Sequence, residues 1–219
     1  ATVGNLLAKL RPHVDQICIV DTGSVDESPS ICREYADKWE LFLGCNDPAT
    51  ELIEDFAVAR NRALDLATQD WHMWIDADDD IVGAETIQQL IARPEPAVMY
   101  LVPYEYTHDA AGRVTCLHWR ETLVKPREAL RWQIPVHEVL LPGIPMVATE
   151  PAPMLRRIHR KGLSKKAHEP NRNLRILEKY VAAKGESDVR ALYYYGVELH
   201  HTPGRIGDAI RVLRRYVDL

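Results

Sequence analysis

The chain lacks an excess of basic residues. Its 27 Lys and Arg face 32 Asp and Glu, a formal net charge of −5, so composition offers no argument for nucleic-acid binding. Long apolar runs are absent too; none approaches the ~20 residues that cross a bilayer. Cysteine is scarce, and Cys18, Cys32, Cys45 and Cys116 show no C-x-x-C spacing, which excludes a zinc ribbon and a disulfide framework. No secretory leader opens the sequence. The expectation is therefore a cytoplasmic protein with reduced thiols. What is present is 219 residues with 46% hydrophobic and 27% charged content, enough for one ordinary globular domain plus a small appendage.

Hydrophobic periodicity lays out that domain. Residues 2–10 read as a helix with Leu6, Leu7 and Leu10 on one face. Gln16–Val20 reads as a strand, 28–38 as a helix with Pro29 in its first turn, and Trp39–Leu43 as a second strand. Residues 55–68 carry Phe56, Ala59, Ala63, Leu64 and Ala67 at helical spacing. His72–Ile75 is a further strand and Glu85–Ala92 a helix closed by Pro94 and Pro96. Strand–helix alternation predicts a parallel sheet with right-handed crossovers. From Val98 the pattern changes. Val98–Tyr106 and Val114–Val124 read as strands joined by a turn at 109–112, followed by strand-rich 131–140, a proline-dense connection at 135–153 and a last strand at Arg156–His159. The segments 173–183, 189–200 and 206–217 read as helices, with a spacing akin to a tetratricopeptide unit.

The densest chemical signal is Trp74-Ile75-Asp76-Ala77-Asp78-Asp79-Asp80. Asp76 and Asp78 point the same way if the segment is extended. Carboxylates crowded at a strand end repel unless a cation sits between them. Hard divalent ions take oxygen ligands and often hold phosphates against a protein. An EF-hand loop is excluded, because its sixth and twelfth positions would be Ile81 and Ile87 where Gly and Glu are required. A solvated helix-capping turn is the plain competitor. A strand end in an α/β fold is, however, where ligands bind.

Three ordered motifs, Val20-Asp21-Thr22-Gly23-Ser24-Val25-Asp26, Asp55-Phe56-Ala57-Val58-Ala59-Arg60-Asn61 and Trp74-Ile75-Asp76-Ala77-Asp78-Asp79, resemble those of family 2 glycosyltransferases with a GT-A fold, in particular members with helical-repeat tails. The resemblance implies a GT-A, Rossmann-like, mostly parallel α/β sheet with flanking helices over 1–165, followed by a small all-helical, tetratricopeptide-like segment over 166–219. The family's opening strand and its Asn-Glu-Glu-type turn are not found after Ala1, which leaves that strand open as absent, disordered or upstream, with an incomplete sequence as the expectation.

The activity so implied is inverting transfer of a hexose from a nucleotide-sugar, usually a UDP-sugar, with Mn²⁺ or Mg²⁺. Asp21 inherits contact with the uracil base. Thr22-Gly23-Ser24 is a polar turn that offers backbone N–H groups to a ligand. Arg60 and Asn61 inherit a nucleotide-binding role, Asp76 contact with the ribose or the metal-bound water and, as the first carboxylate of Asp-Ala-Asp, a share in the metal itself, and Asp78 the metal, with Asp79 a further candidate ligand. His159 is the choice for a third metal ligand or a diphosphate contact, and His137 is left open beside it. Glu138, in Val136-His137-Glu138-Val139, is expected to be the catalytic base on a strand facing the donor. Arg156, Arg157, Arg160, Lys161, Lys165 and Lys166 are candidates for a lid over the diphosphate, with a solvated charged face as the plainer reading. Trp119 and Trp132 are candidates to stack on a sugar, with a core role as the alternative.

The donor sugar stays open among glucose, galactose and N-acetylhexosamine, and the acceptor among glycan, peptide, protein and small molecule. A homo-oligomer through the helical tail is left open. Two other classes compete: a catalytically degenerate domain whose tail recruits a partner, and a haloacid-dehalogenase-type phosphatase. The phosphatase requires Thr or Val where Asp80 stands, and it leaves Asp21 and Arg60 without a role.

Overall fold

The computed structural model describes residues 2–94, 97–125, 130–141, 149–160 and 169–219. In chain order they form α1 (Thr2–Leu10), β1 (Cys18–Asp21), α2 (Ser28–Tyr35), β2 (Lys38–Leu41), α3 (Phe56–Leu66), β3 (His72–Met73), β4 (Asp79–Val82), α4 (Ile87–Ile91), β5 (Met99–His108), β6 (Val114–Val124), β7 (Arg131–Gln133), β8 (Val139–Leu141), β9 (Thr149–Pro151), β10 (Arg156–His159), α5 (Arg172–Lys184), α6 (Val189–His201) and α7 (Ile206–Val217). This is a mixed α/β arrangement with helices at its C-terminal end, as the GT-A resemblance predicts. No helix among the described residues is long and apolar enough to cross a membrane.

Two compact units are interleaved along the chain. One draws on residues 1–42, 62–131 and 140–165, the other on 43–61, 132–139 and 166–219.

In the first unit β1 and β2 pair in parallel across α2, Cys18 opposite Lys38. Helix α1 is apolar at 3, 6, 7 and 10 and divides its burial between two clusters. Val3 and Leu7 pack with Ile17 and Cys32, while Leu6 and Leu10 pack with Ile81, Tyr100, Val102 and Leu123. Each such side chain removed from water contributes about 1.5–3 kcal/mol.

A larger six-stranded sheet runs β3-β6-β5-β10-β4, with β9 also on β5. It carries both orientations. β5 runs parallel to β9 and β10, whereas β5–β6, β3–β6 and β4–β10 are antiparallel. Strand β3 therefore does not extend a parallel run as the strand–helix alternation predicts. The β5–β6 hairpin is long enough to offer Leu123 and Val124 to Met73 and His72. Its turn closes on Asp109, whose Oδ1 accepts the N–H groups of Ala111 and Arg113.

Strand β4 was not expected. The last two aspartates of the acidic run open it, and it ends at Gly83, where φ is 81° and a Cβ would lie 1.9 Å from the Met154 carbonyl oxygen.

In the second unit, α5, α6 and α7 close on Leu174, Leu199 and Ala209. Gly196 brings α6 against α7, since a Cβ there would meet Leu213 at 2.6 Å. Asp188 caps α6 by accepting the Ala191 N–H. Ile134 and Val136 pack with Ile176, Leu177 and Ala191.

Candidate functional site

The acidic run is a turn between two strands, not an extended segment. The Asp79 N–H donates to the Asp76 carbonyl at 3.0 Å, so Asp76 and Asp78 do not alternate along one strand face. The expectation of shared direction by extended spacing is corrected: the chain must reverse within Asp76–Asp79 to enter β4.

Strand register then builds the site. In the antiparallel pair β4–β10, His159 sits directly opposite Asp79, which places the two side chains on one face. Arg157 lies two residues back, on that same face by strand alternation. It is opposite Tyr104 of β5.

Asp79 is 1% exposed. Its Oδ1 accepts the Tyr104 hydroxyl at 2.8 Å and lies 3.4 Å from His159 Nδ1. Its Oδ2 accepts Arg157 Nε at 3.1 Å and also Arg157 Nη2. Burial alone would raise its pKa, but the contacts with His159, Arg157 and Tyr104 outweigh that and hold it below the ordinary carboxylate value. Arg157 is fully buried, its guanidinium 3.8 Å from the centre of the Trp74 ring and 4.5 Å from that of Tyr104.

Asp78 is the opposite case. It is partly exposed, and burial, reinforced by Asp76 and Asp79, pushes its carboxyl up although His159 works the other way. A cation would relieve that repulsion. One ligand atom from each of Asp78, Asp79 and His159 lies within 4.8 Å of the others. Two oxygens and one imidazole nitrogen suit Mn²⁺ and related divalent ions. This donor set fits a divalent metal. Asp76 is not one of its three members; Asp76 Oδ2 lies 3.5 Å from Arg157 Nη2.

Asp21 is buried at the end of β1. Its Oδ1 accepts the N–H groups of Gly23 and Ser24 at 3.0 and 2.8 Å. The amides expected to face a ligand are thus donated to this carboxylate, as short polar side chains do in turns. Thr22 stands half-buried and Ser24 exposed in the same turn.

Of the basic residues read as a lid, Arg157 is core, Arg156 binds Glu105 at 2.7 Å and Arg160 binds Asp80 at 2.8 Å. Lys161, Lys165 and Lys166 lie outside the described residues.

In the second unit, Asn61 clamps a backbone. Its Nδ2 donates to the Trp132 carbonyl and its Oδ1 accepts the Trp132 N–H, both at 2.9 Å. Arg60 Nε donates to Glu138 Oε1 at 2.6 Å. Glu138 lies just before β8 rather than on a strand. His137 turns the other way, its Nε2 2.8 Å from Glu198 Oε1. Trp132 is 4% exposed and Trp119 47%, so Trp132 belongs to the core.

The family model described as "Glycosyl transferase family 2" matches residues 1–162. The chain belongs to glycosyl transferase family 2. It is also similar to a TPR repeat-containing protein of Synechococcus elongatus (strain ATCC 33912 / PCC 7942 / FACHB-805), 32% identical over 136 residues, which are 61% of this chain and 31% of that relative. The chain thus spans less than a third of the relative's length.

Arg157, read from the sequence as part of a lid, is instead buried against Asp79, and Tyr104 was not singled out at all. The signal for Arg157 was available: on a strand it shares parity with His159. Tyr104 carried none, because its partner strand follows only from the register.

Proposed function

We propose that the chain is an inverting hexosyltransferase that takes its sugar from a UDP-hexose, with Mn²⁺ or Mg²⁺ at the acidic turn. The observation that carries this is the Asp78–Asp79–His159 cluster inside a family 2 domain. Asp78 and His159 are the metal ligands of this reading, Asp79 completes the set, and Asp76 serves the ribose or a metal-bound water. When bound, the ion supplies Lewis-acid stabilisation of the leaving diphosphate.

Asp21 recognises the base, with Thr22 and Ser24 beside it and Arg60 and Asn61 contributing to the nucleotide site. Glu138 is the base. It accepts the proton of the acceptor hydroxyl as that oxygen bonds the anomeric carbon, and the electrons of the breaking C–O bond leave with the diphosphate. The ion pair with Arg60 supports this role by fixing the carboxylate in one orientation. The transferase domain covers 1–165, and 166–219 is a TPR-like tail, a reading supported by the name of the Synechococcus relative. The free thiols of Cys18, Cys32, Cys45 and Cys116 support a cytoplasmic setting.

A second reading, a degenerate domain that acts as a scaffold through its tail, draws on the same name. A mass-spectrometric screen of nucleotide sugars for hydrolysis and transfer separates the two. Metal-dependent release of UDP that falls by ~10²-fold or more in Glu138→Gln is expected. No turnover with any donor would leave the scaffold reading standing.

A further inference from the structure

We propose that Glu198, in the C-terminal helical segment, is a positioning residue for the transfer reaction: it holds His137 in place and thereby aims the neighbouring Glu138. The catalytic part of this inference rests on the reading of Glu138 as the base.

The segment between β7 and β8 is held in a demanding conformation. Ile134 and His137 have φ of 71° and 56°, a left-handed region that residues with a Cβ rarely adopt. Such conformations persist where the surroundings over-determine them, and they cluster at functional sites.

The surroundings here are explicit. Ile134 and Val136 are anchored in the core beside Ile176, Leu177 and Ala191. The Phe56 N–H donates to the Pro135 carbonyl at 2.8 Å. The His137 ring stacks on Tyr194 with centroids 4.1 Å apart and planes 7° apart. Glu198 Oε1 lies 2.8 Å from His137 Nε2 and accepts Asn173 Nδ2 at 3.1 Å. Arg190 Nε donates to the His137 carbonyl at 3.2 Å.

The left-handed turn at His137 thus sends two consecutive side chains to different helices. His137 goes to α6 and Glu138 to Arg60 of α3. Packing alone would be served by an apolar residue at 198. Instead a half-buried carboxylate stands there, held below its ordinary pKa first by the hydrogen bond from His137, with burial opposing and Asn173 assisting. It is a directional anchor. The aim of Glu138 therefore depends on the tail.

The test uses the full chain and the variants E198A and E198Q, with Asn173→Ala as a milder lesion should E198A not fold. UDP-hexose hydrolysis gives kcat and KM, and hydrogen exchange over residues 132–138 gives a readout independent of activity. E198A is expected to lower kcat by about 10- to 10²-fold with little change in donor KM and to speed exchange in that segment. E198Q keeps an acceptor oxygen and is expected to recover much of both. Wild-type kcat and unchanged exchange in folded E198A would overturn the proposal. Absence of turnover in the wild-type chain would overturn the reading of Glu138 itself, and exchange alone would then decide whether Glu198 holds the segment.

Discussion

Arg157 and Asp79 form an ion pair in which neither side chain reaches solvent. The guanidinium lies against Trp74 and Tyr104, so its charge is met by π-faces as well as by the carboxylate. Leaving one partner of a buried pair uncompensated costs about 3–5 kcal/mol. Arg157→Met is expected to lose that much stability in chemical denaturation. A loss below about 1 kcal/mol, the range of surface pairs, would show that the pair does not hold β10 against β4.

Asn61 has both ends of its amide on the backbone of Trp132. Asn61→Ala leaves a buried N–H and C=O without these partners, at about 1–3 kcal/mol for each unsatisfied group. Thermal unfolding is expected to register the loss, and donor KM is expected to rise with it, because the proposed nucleotide site includes Asn61. A large rise in KM at unchanged melting temperature would make nucleotide binding its main role.

Asp80 links Lys9 of α1 and Arg160 to the start of β4. Burial pushes its carboxyl up, but the bonds from Arg160 and Lys9 prevail and bring it to about 2 from 3.8. Because the folded value is the lower one, the contribution is complete above 3.8 and is lost as pH falls toward 2. Asp80→Asn is therefore expected to melt below wild type at pH 7, with the gap closing by pH 2. A gap that widened in acid would contradict this sign.

Periodicity in the sequence made α1, α2, α3, the β5–β6 hairpin and the three C-terminal helices legible, because each buries one face at a regular spacing. It did not reveal β4. Asp79 and Asp80 are poor strand formers, and only pairing with Arg156–His159 makes them a strand. Asp76, Asp78 and His159 were legible as chemistry, whereas the register that sets Asp79 against His159 was not. Arg157 looked like surface charge because a run of basic residues normally is; its burial depends on Asp79, Trp74 and Tyr104, which lie far away in sequence. The sequence placed Glu138 on a strand; the left-handed turn at His137 that sends His137 and Glu138 to different helices was not legible in it.

The acidic turn and His159 are proposed to grip a divalent cation. Calorimetric titration of Mn²⁺ in the presence of UDP, on wild type and Asp78→Ala, tests it most directly. Saturable binding to the wild-type chain at one site per molecule is expected, and its loss in an Asp78→Ala variant that melts like wild type, since Asp78 is partly exposed. Equal Mn²⁺ binding by both proteins, or none by wild type, would contradict it.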